Sequence, residues 1–145
     1  MPYQVVNLAK RVSDSCAAVY TEPFDIGVAE WRVLARLGQH QQLNSRHLGQ
    51  VTFMDKSRVS RALKSLERKG LLLRQVDRGD NRASLLSLTA AGRRLYSQIV
   101  PRALDWESQF LSALDVTEYR DLLLILSKLE SQLDAMETGA CEPPA

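Results

Sequence analysis

The chain has 145 residues, 45% of them apolar and 25% charged, with a formal net charge of +2. That is one domain of ordinary size with enough apolar side chains for a packed core, which excludes bulk disorder. No apolar run approaches the roughly 18 residues that a bilayer span needs, and the opening MPYQVVNLAKRV lacks the h-region of a secretory signal, so a cytoplasmic protein is expected.

Val5, Leu8, Val12, Cys16 and Val19 recur at helical spacing and predict an amphipathic first helix over 4–20. Thr21-Glu22-Pro23-Phe24-Asp25 is expected to break it, because proline disfavours helix in the residue before it. A second helix is predicted over 28–37, with Trp31, Leu34 and Leu37 on one face and Gly38 as its stop. Asn44 or Ser45 can cap a short third helix ending near Val51, with Leu48 and Val51 facing inward. Asp55 or Ser57 opens a fourth helix over 55–69, whose buried stripe is Val59, Ala62, Leu63 and Leu66 and whose end is marked by Gly70.

Residues 71–76 and 84–88 read as paired strands, and the polar link Asp77-Arg78-Gly79-Asp80-Asn81-Arg82-Ala83 reads as the tip of their hairpin. Thr89 caps a long fifth helix over 90–114, with Leu95, Ile99, Leu104, Phe110 and Leu111 apolar and Pro101 expected to bend or interrupt it. Thr117 is expected to cap a last helix reaching Met136. Its leucines and isoleucine (Leu122, Leu123, Leu124, Ile125, Leu126, Leu129, Leu133) cover more than one face and need more than one partner surface. Residues 138–145 read as a frayed tail.

Short helices followed by a hairpin make a winged helix-turn-helix. The expected fold is therefore mainly α with a small β-hairpin wing, plus a helical dimerisation region, within a single domain over 1–145. The winged part is 28–92. The helices at 1–22 and 93–137 are surplus to such a core, and pairing two copies of the chain would bury them.

Charge is segregated along the chain. Residues 1–54 carry +1, residues 55–94 carry +7 and residues 95–145 carry −6. A basic centre suits a polyanion. In winged helices the second helix of the turn motif lies in the major groove of double-stranded DNA, with its early residues at base edges. That helix is the fourth one here. Arg58 and Arg61 carry the fork that fits guanine, Ser57 and Ser60 can serve bases or phosphates, and Lys56 and Lys64 suit phosphates. Asn44 and Ser45 ahead of it and Arg78 in the hairpin complete the candidate set. At the tip, Arg82 would enter a narrow minor groove, with Asp80 holding its guanidinium in place.

Three stretches resemble the MarR family of bacterial transcription regulators: AEWRVLARL at 29–37, DKSRVSRALKSLERKGLL at 55–72 and DRGDNRASLLSLTAAGR at 77–93. The resemblance is closest over 28–96. It implies a homodimer in which the first, fifth and sixth predicted helices pack across a two-fold axis. It further implies a recognition helix at 55–69 and a wing Asp-x-Arg at Asp80 and Arg82. A two-fold protein reads a pseudo-palindrome with half-sites about one helical turn apart. Repression of the target is the expected mode.

The resemblance also implies a switch. Many such regulators respond to a small aromatic acid or phenol held between the DNA-binding and dimerisation parts, and Tyr20, Trp31, Arg32 and Phe53 fall near that crevice. Others respond to oxidation of a cysteine on the first helix. Cys16 has that position but only one nearby tyrosine, Tyr20, and it sits on the apolar stripe, where a cysteine acts as a small hydrophobe.

Other chemistry finds little support. Cys16 and Cys141 form no Cys-x-x-Cys pair, and His40 and His47 lack companions at metal-ligand spacing. No nucleotide loop, Ser/His/Asp set or paired-carboxylate cluster is present, so neither an enzyme nor a cofactor is expected. The alternative from another class is a winged helix that uses its basic face on an acidic protein partner.

Overall fold

A computed structural model of the chain describes residues 1–76, 78–79 and 84–139. Asp77, Asp80, Asn81, Arg82 and Ala83, with the tail 140–145 and its Cys141, lie outside the described residues. The elements in order are α1 (Pro2–Ala17), α2 (Thr21–Phe24), α3 (Val28–Gln39), β1 (Leu43–Asn44), α4 (Ser45–Thr52), α5 (Lys56–Arg68), β2 (Leu72–Val76), β3 (Ser84–Leu88), α6 (Ala90–Leu111) and α7 (Val116–Gly139). The chain divides into two compact units, Met1–Trp106 and Glu107–Ala145. Among the described residues no helix is long and apolar enough to cross a membrane.

The first unit is built on one apolar core. Ile26, Val33, Leu34, Leu37, Leu48, Leu66, Leu86 and Ile99 are its largest fully buried side chains. Each such burial contributes about 1.5–3 kcal/mol. The contributors come from α3, α4, α5, β3, α6 and, for Ile26, the link before α3, so one core ties the helix-turn-helix to its sheet. The stripe of α5 is buried at Val59, Ala62, Leu63 and Leu66.

The sheet has three strands in the order β1-β3-β2, all antiparallel. Leu72 pairs with Leu88, and Arg74 with Leu86. The third strand, β1, was not expected. It pairs Leu43 with Leu86 and so closes the open side of β3.

Several local expectations change. The segment expected only to break α1 forms the one-turn helix α2, with Pro23 in its first turn, where no intrahelical donor is lost. Gly38 does not end α3, which continues to Gln39. A β-carbon at Gly38 would overlap the Tyr96 ring of α6, so glycine is required there for close helix packing rather than for a stop. The chain remains helical through Pro101. The cap of α7 is Asp115, not Thr117. The Asp115 Oδ1 accepts from the Glu118 N–H at 2.9 Å while the Glu118 carboxylate accepts from the Asp115 N–H at 2.9 Å, a reciprocal capping box. Helix α7 also extends past Met136 to Gly139.

In the second unit every residue of α7 is exposed, including Leu122, Leu123, Leu126, Leu129 and Leu133. In α1, Tyr3, Val5, Val6 and Leu8 are exposed as well, while Val12 and Cys16 are half-buried, as is Val19 in the turn after the helix, which ends at Ala17 rather than reaching residue 20.

Candidate nucleic-acid interface

Helix α5 begins at Asp55, whose carboxylate accepts from the Arg58 N–H at 2.8 Å. It ends in a left-handed Gly70 (φ +70), with the Leu71 N–H donating to the Leu66 carbonyl at 3.0 Å. Between these stops the apolar stripe faces the core, and the opposite face carries Lys56, Ser57, Arg58, Arg61 and Lys64, all exposed. Ser60 is half-buried on the flank. Residues 56–66 contain no carboxylate. Among the described residues none of these four cations is in an ion pair. A helix face with four cations and no acid concentrates positive potential along one line.

Asn44 and Ser45 have local roles at the start of α4. The Asn44 Oδ1 accepts from the Arg46 N–H at 2.8 Å and caps the helix. The Ser45 hydroxyl accepts from the Ser84 N–H at 3.2 Å and ties α4 to β3. Ser45 also lines a cleft of about 540 Å³ with Arg46, Gln50, Lys56, Ser60 and Arg74. Arg46, Gln50 and Arg74 were absent from the sequence-based set. The i,i+4 spacing of Arg46 and Gln50 on a short capped helix was the available signal for two of them. Arg74 is itself engaged, its Nε donating to the Glu67 Oε1 at 2.9 Å and its Nη2 to the Oε2 at 3.2 Å. Arg78 is exposed. The wing pair Asp80 and Arg82 lies outside the described residues.

The four candidate effector residues separate into two places. Trp31, Arg32 and Phe53 line a groove of about 440 Å³ with Arg36, Gln39, Val51 and Thr52. Tyr20 does not line it. At 2% exposure it lies behind Trp31, with their rings stacked 5.4 Å apart, and Trp31 continues to Tyr96 at 6.3 Å. Burial pushes the Tyr20 phenol up to about 12, the nearby Cys16 adds to the shift and Arg32 opposes it. Phe53 is 88% exposed and adopts a left-handed backbone (φ 52). It forms the turn between α4 and α5. Cys16 is half-buried against the core cluster. Among the described residues no group of three or more His, Cys, Asp or Glu side chains could hold a metal ion.

A helix pair, a basic second helix and an antiparallel wing sheet make a winged helix-turn-helix, a fold that many DNA-binding transcription regulators share. Comparison with known proteins agrees. The model of the MarR family matches residues 24–83. The transcriptional regulator SarZ of Staphylococcus saprophyticus is 32% identical over 74 residues, 51% of each chain, so the alignment spans about half the length of that relative. A MarR/EmrR family regulator from Acinetobacter sp. ADP1 superposes with a TM-score of 0.84 at 28% identity, covering 92% of this chain and 94% of that one. A MarR variant from E. coli complexed with operator DNA shares the fold, with a TM-score of 0.77 at 24% identity over 87% of this chain and 91% of that one. Over residues 24–83 the chain is similar to the MarR family of transcription regulators.

Proposed function

We propose that two copies of this chain bind a pseudo-palindromic operator and repress transcription by occupying it. The observation that carries this reading is the exposed face of α5, where Lys56, Arg58, Arg61 and Lys64 stand over a fully buried stripe with no carboxylate among them. A helix held so firmly from behind and so positive in front suits the major groove. In this reading Arg58 and Arg61 read bases, and Lys56, Lys64 and Arg78 meet phosphates. Arg82, steadied by Asp80, enters the minor groove. Residues 28–92 act as the DNA-binding part. The exposed leucines of α7 and the exposed apolar half of α1 pair with a second copy, as the dimerisation parts at 1–22 and 93–137. The protein works in the cytoplasm, on chromosomal DNA.

An effector fits the same reading. The groove on α3 and α4 is lined by Trp31 and Phe53 together with Arg32 and Arg36. That lining suits a small aromatic acid. Such a ligand releases the operator only if it binds the DNA-incompetent dimer more tightly than the competent one.

Binding-site selection from a random duplex pool, repeated with phenolic acids present, tests the proposal. An enriched two-fold motif supports it. A pool that stays random at modest ionic strength contradicts it and leaves the basic face for an acidic protein partner.

A further inference from the structure

The back of α5 is held by more than its apolar stripe. The Ser65 hydroxyl donates to the Glu30 Oε1 at 2.8 Å, and the Lys69 ammonium donates to the Glu30 Oε2 at 2.8 Å. Lys69 also donates to the Asp25 backbone carbonyl, and the Asp25 carboxylate stands 3.7 Å from it. One carboxylate thus uses both oxygens to join the first turn of α3 to the last turn of α5. The Glu30 side chain is only 14% exposed and that of Lys69 30%. Asp25 is the left-handed residue (φ 53) that follows α2 and leads toward α3.

Each charge sits where the helix dipoles favour it. Glu30 is in the first turn of α3, at the positive end, and Lys69 is the C-cap of α5, at the negative end. The participants are 35 and 39 positions apart in sequence. None of them is among the candidate DNA-contacting residues.

An apolar stripe fixes which side of a helix is buried but is weakly directional, because the hydrophobic effect scales with area. Hydrogen bonds have preferred angles as well as distances. A rotation of α5 by about 10° moves the tip of an arginine by about 1 Å, since a helix with its side chains is about 10–12 Å across. Base readout tolerates a displacement of about 0.5 Å. Ser65 lies only about 6 Å along the axis from Arg61 and about 10 Å from Arg58, at 1.5 Å per residue.

We propose that Glu30 is a positioning residue for base recognition: by gripping Ser65 and Lys69 it sets the rotation and axial position of α5, and so decides whether Arg58 and Arg61 meet base edges in register. This inference rests on the assignment of α5 as the recognition helix. It gives a role to a partly buried ion pair that, as a semi-exposed pair, adds little to stability by itself.

The test compares specific with non-specific binding. Ser65→Ala leaves the net charge unchanged and raises helix propensity, so it spares the fold and the phosphate attraction. Its expected effect is a loss of about tenfold in the ratio of selected-duplex to random-duplex affinity, the worth of one charge-assisted hydrogen bond, with random-duplex affinity and its salt slope unchanged. Glu30→Gln is expected to lower the same ratio. A double-mutant cycle between the two positions should show coupling on the selected duplex and none on the random one. A ratio equal to that of the parent protein in both variants, or an equal loss on both duplexes, overturns the proposal while the assignment of α5 stands. A parent protein that fails to discriminate between the duplexes overturns that assignment and this proposal together.

Discussion

Gly92 lies directly against the Leu71 carbonyl, so close that a β-carbon on Gly92 would overlap that oxygen. The Leu71 carbonyl also accepts from the Thr89 N–H at 3.1 Å, and the Thr89 hydroxyl donates to the Gly70 carbonyl at 2.7 Å. The start of α6 is thereby docked on the turn that ends α5. Gly92→Ala must push backbone against backbone and is expected to destabilise the fold by about 1–3 kcal/mol. Thermal unfolding checks this, and a midpoint equal to the parent's contradicts it.

Asp55 caps α5 with its side chain. Asp55→Ala is expected to cost about 1 kcal/mol of stability. It also removes a negative charge beside the basic face of α5, so random-duplex affinity should rise slightly while the helix frays. Denaturant melts and filter binding read the two effects separately. A stability unchanged within error would mean that backbone solvation replaces the cap.

Arg61→Ala is expected to relax base preference and cost about 1–3 kcal/mol on the selected site, as for a bidentate guanine contact. Equal weakening on every sequence would make Arg61 a phosphate contact. Arg82→Ala, in the wing, is expected to weaken binding chiefly where the flanks are A·T-rich. A mobility shift unaffected by that change would remove the wing from the interface.

Tyr20 gives a pH signature. Its phenol is raised from 10.0 to about 12 by burial. The folded state therefore keeps a proton that the unfolded state releases. The stabilisation is complete below the unfolded value of 10.0 and is lost as pH rises toward about 12. Tyrosinate absorbance should show one phenol that ionises late or only on unfolding, and Tyr20→Phe should remove that step. A titration in which all four tyrosines ionise together near 10 would contradict the buried placement.

The elements with strong local signals were legible in the sequence. Helix α5 is the clearest. Its cap, its stripe of Val59, Ala62, Leu63 and Leu66 and its Gly70 stop all lie within sixteen consecutive residues and agree with one another. What escaped was non-local or very short. β1 has two residues, too few for any alternation, and exists because β3 has an edge to fill. Gly38 looked like a stop because its partner, the Tyr96 ring, is far away in sequence. The Asp115 cap is readable from Glu118 three positions on, but Thr117 competes with it in sequence because both residue types cap well. In the candidate site the basic face could be read from charge spacing alone. The Glu30, Ser65 and Lys69 contacts could not, since nothing local links a carboxylate in one helix to a serine thirty-five positions later.

In the proposed complex two chains grip one duplex through paired α5 helices. The most direct measurement is sedimentation equilibrium of the protein alone and with a duplex carrying its selected site, beside a Leu126→Glu, Leu129→Glu variant of α7. The expected result is a dimer in the free protein, two chains per duplex, affinity that falls steeply with salt as about 6–10 phosphate contacts require, and a monomeric variant with little operator affinity. A monomer at micromolar concentration, or a single chain occupying the site as tightly as the parent dimer, would contradict it.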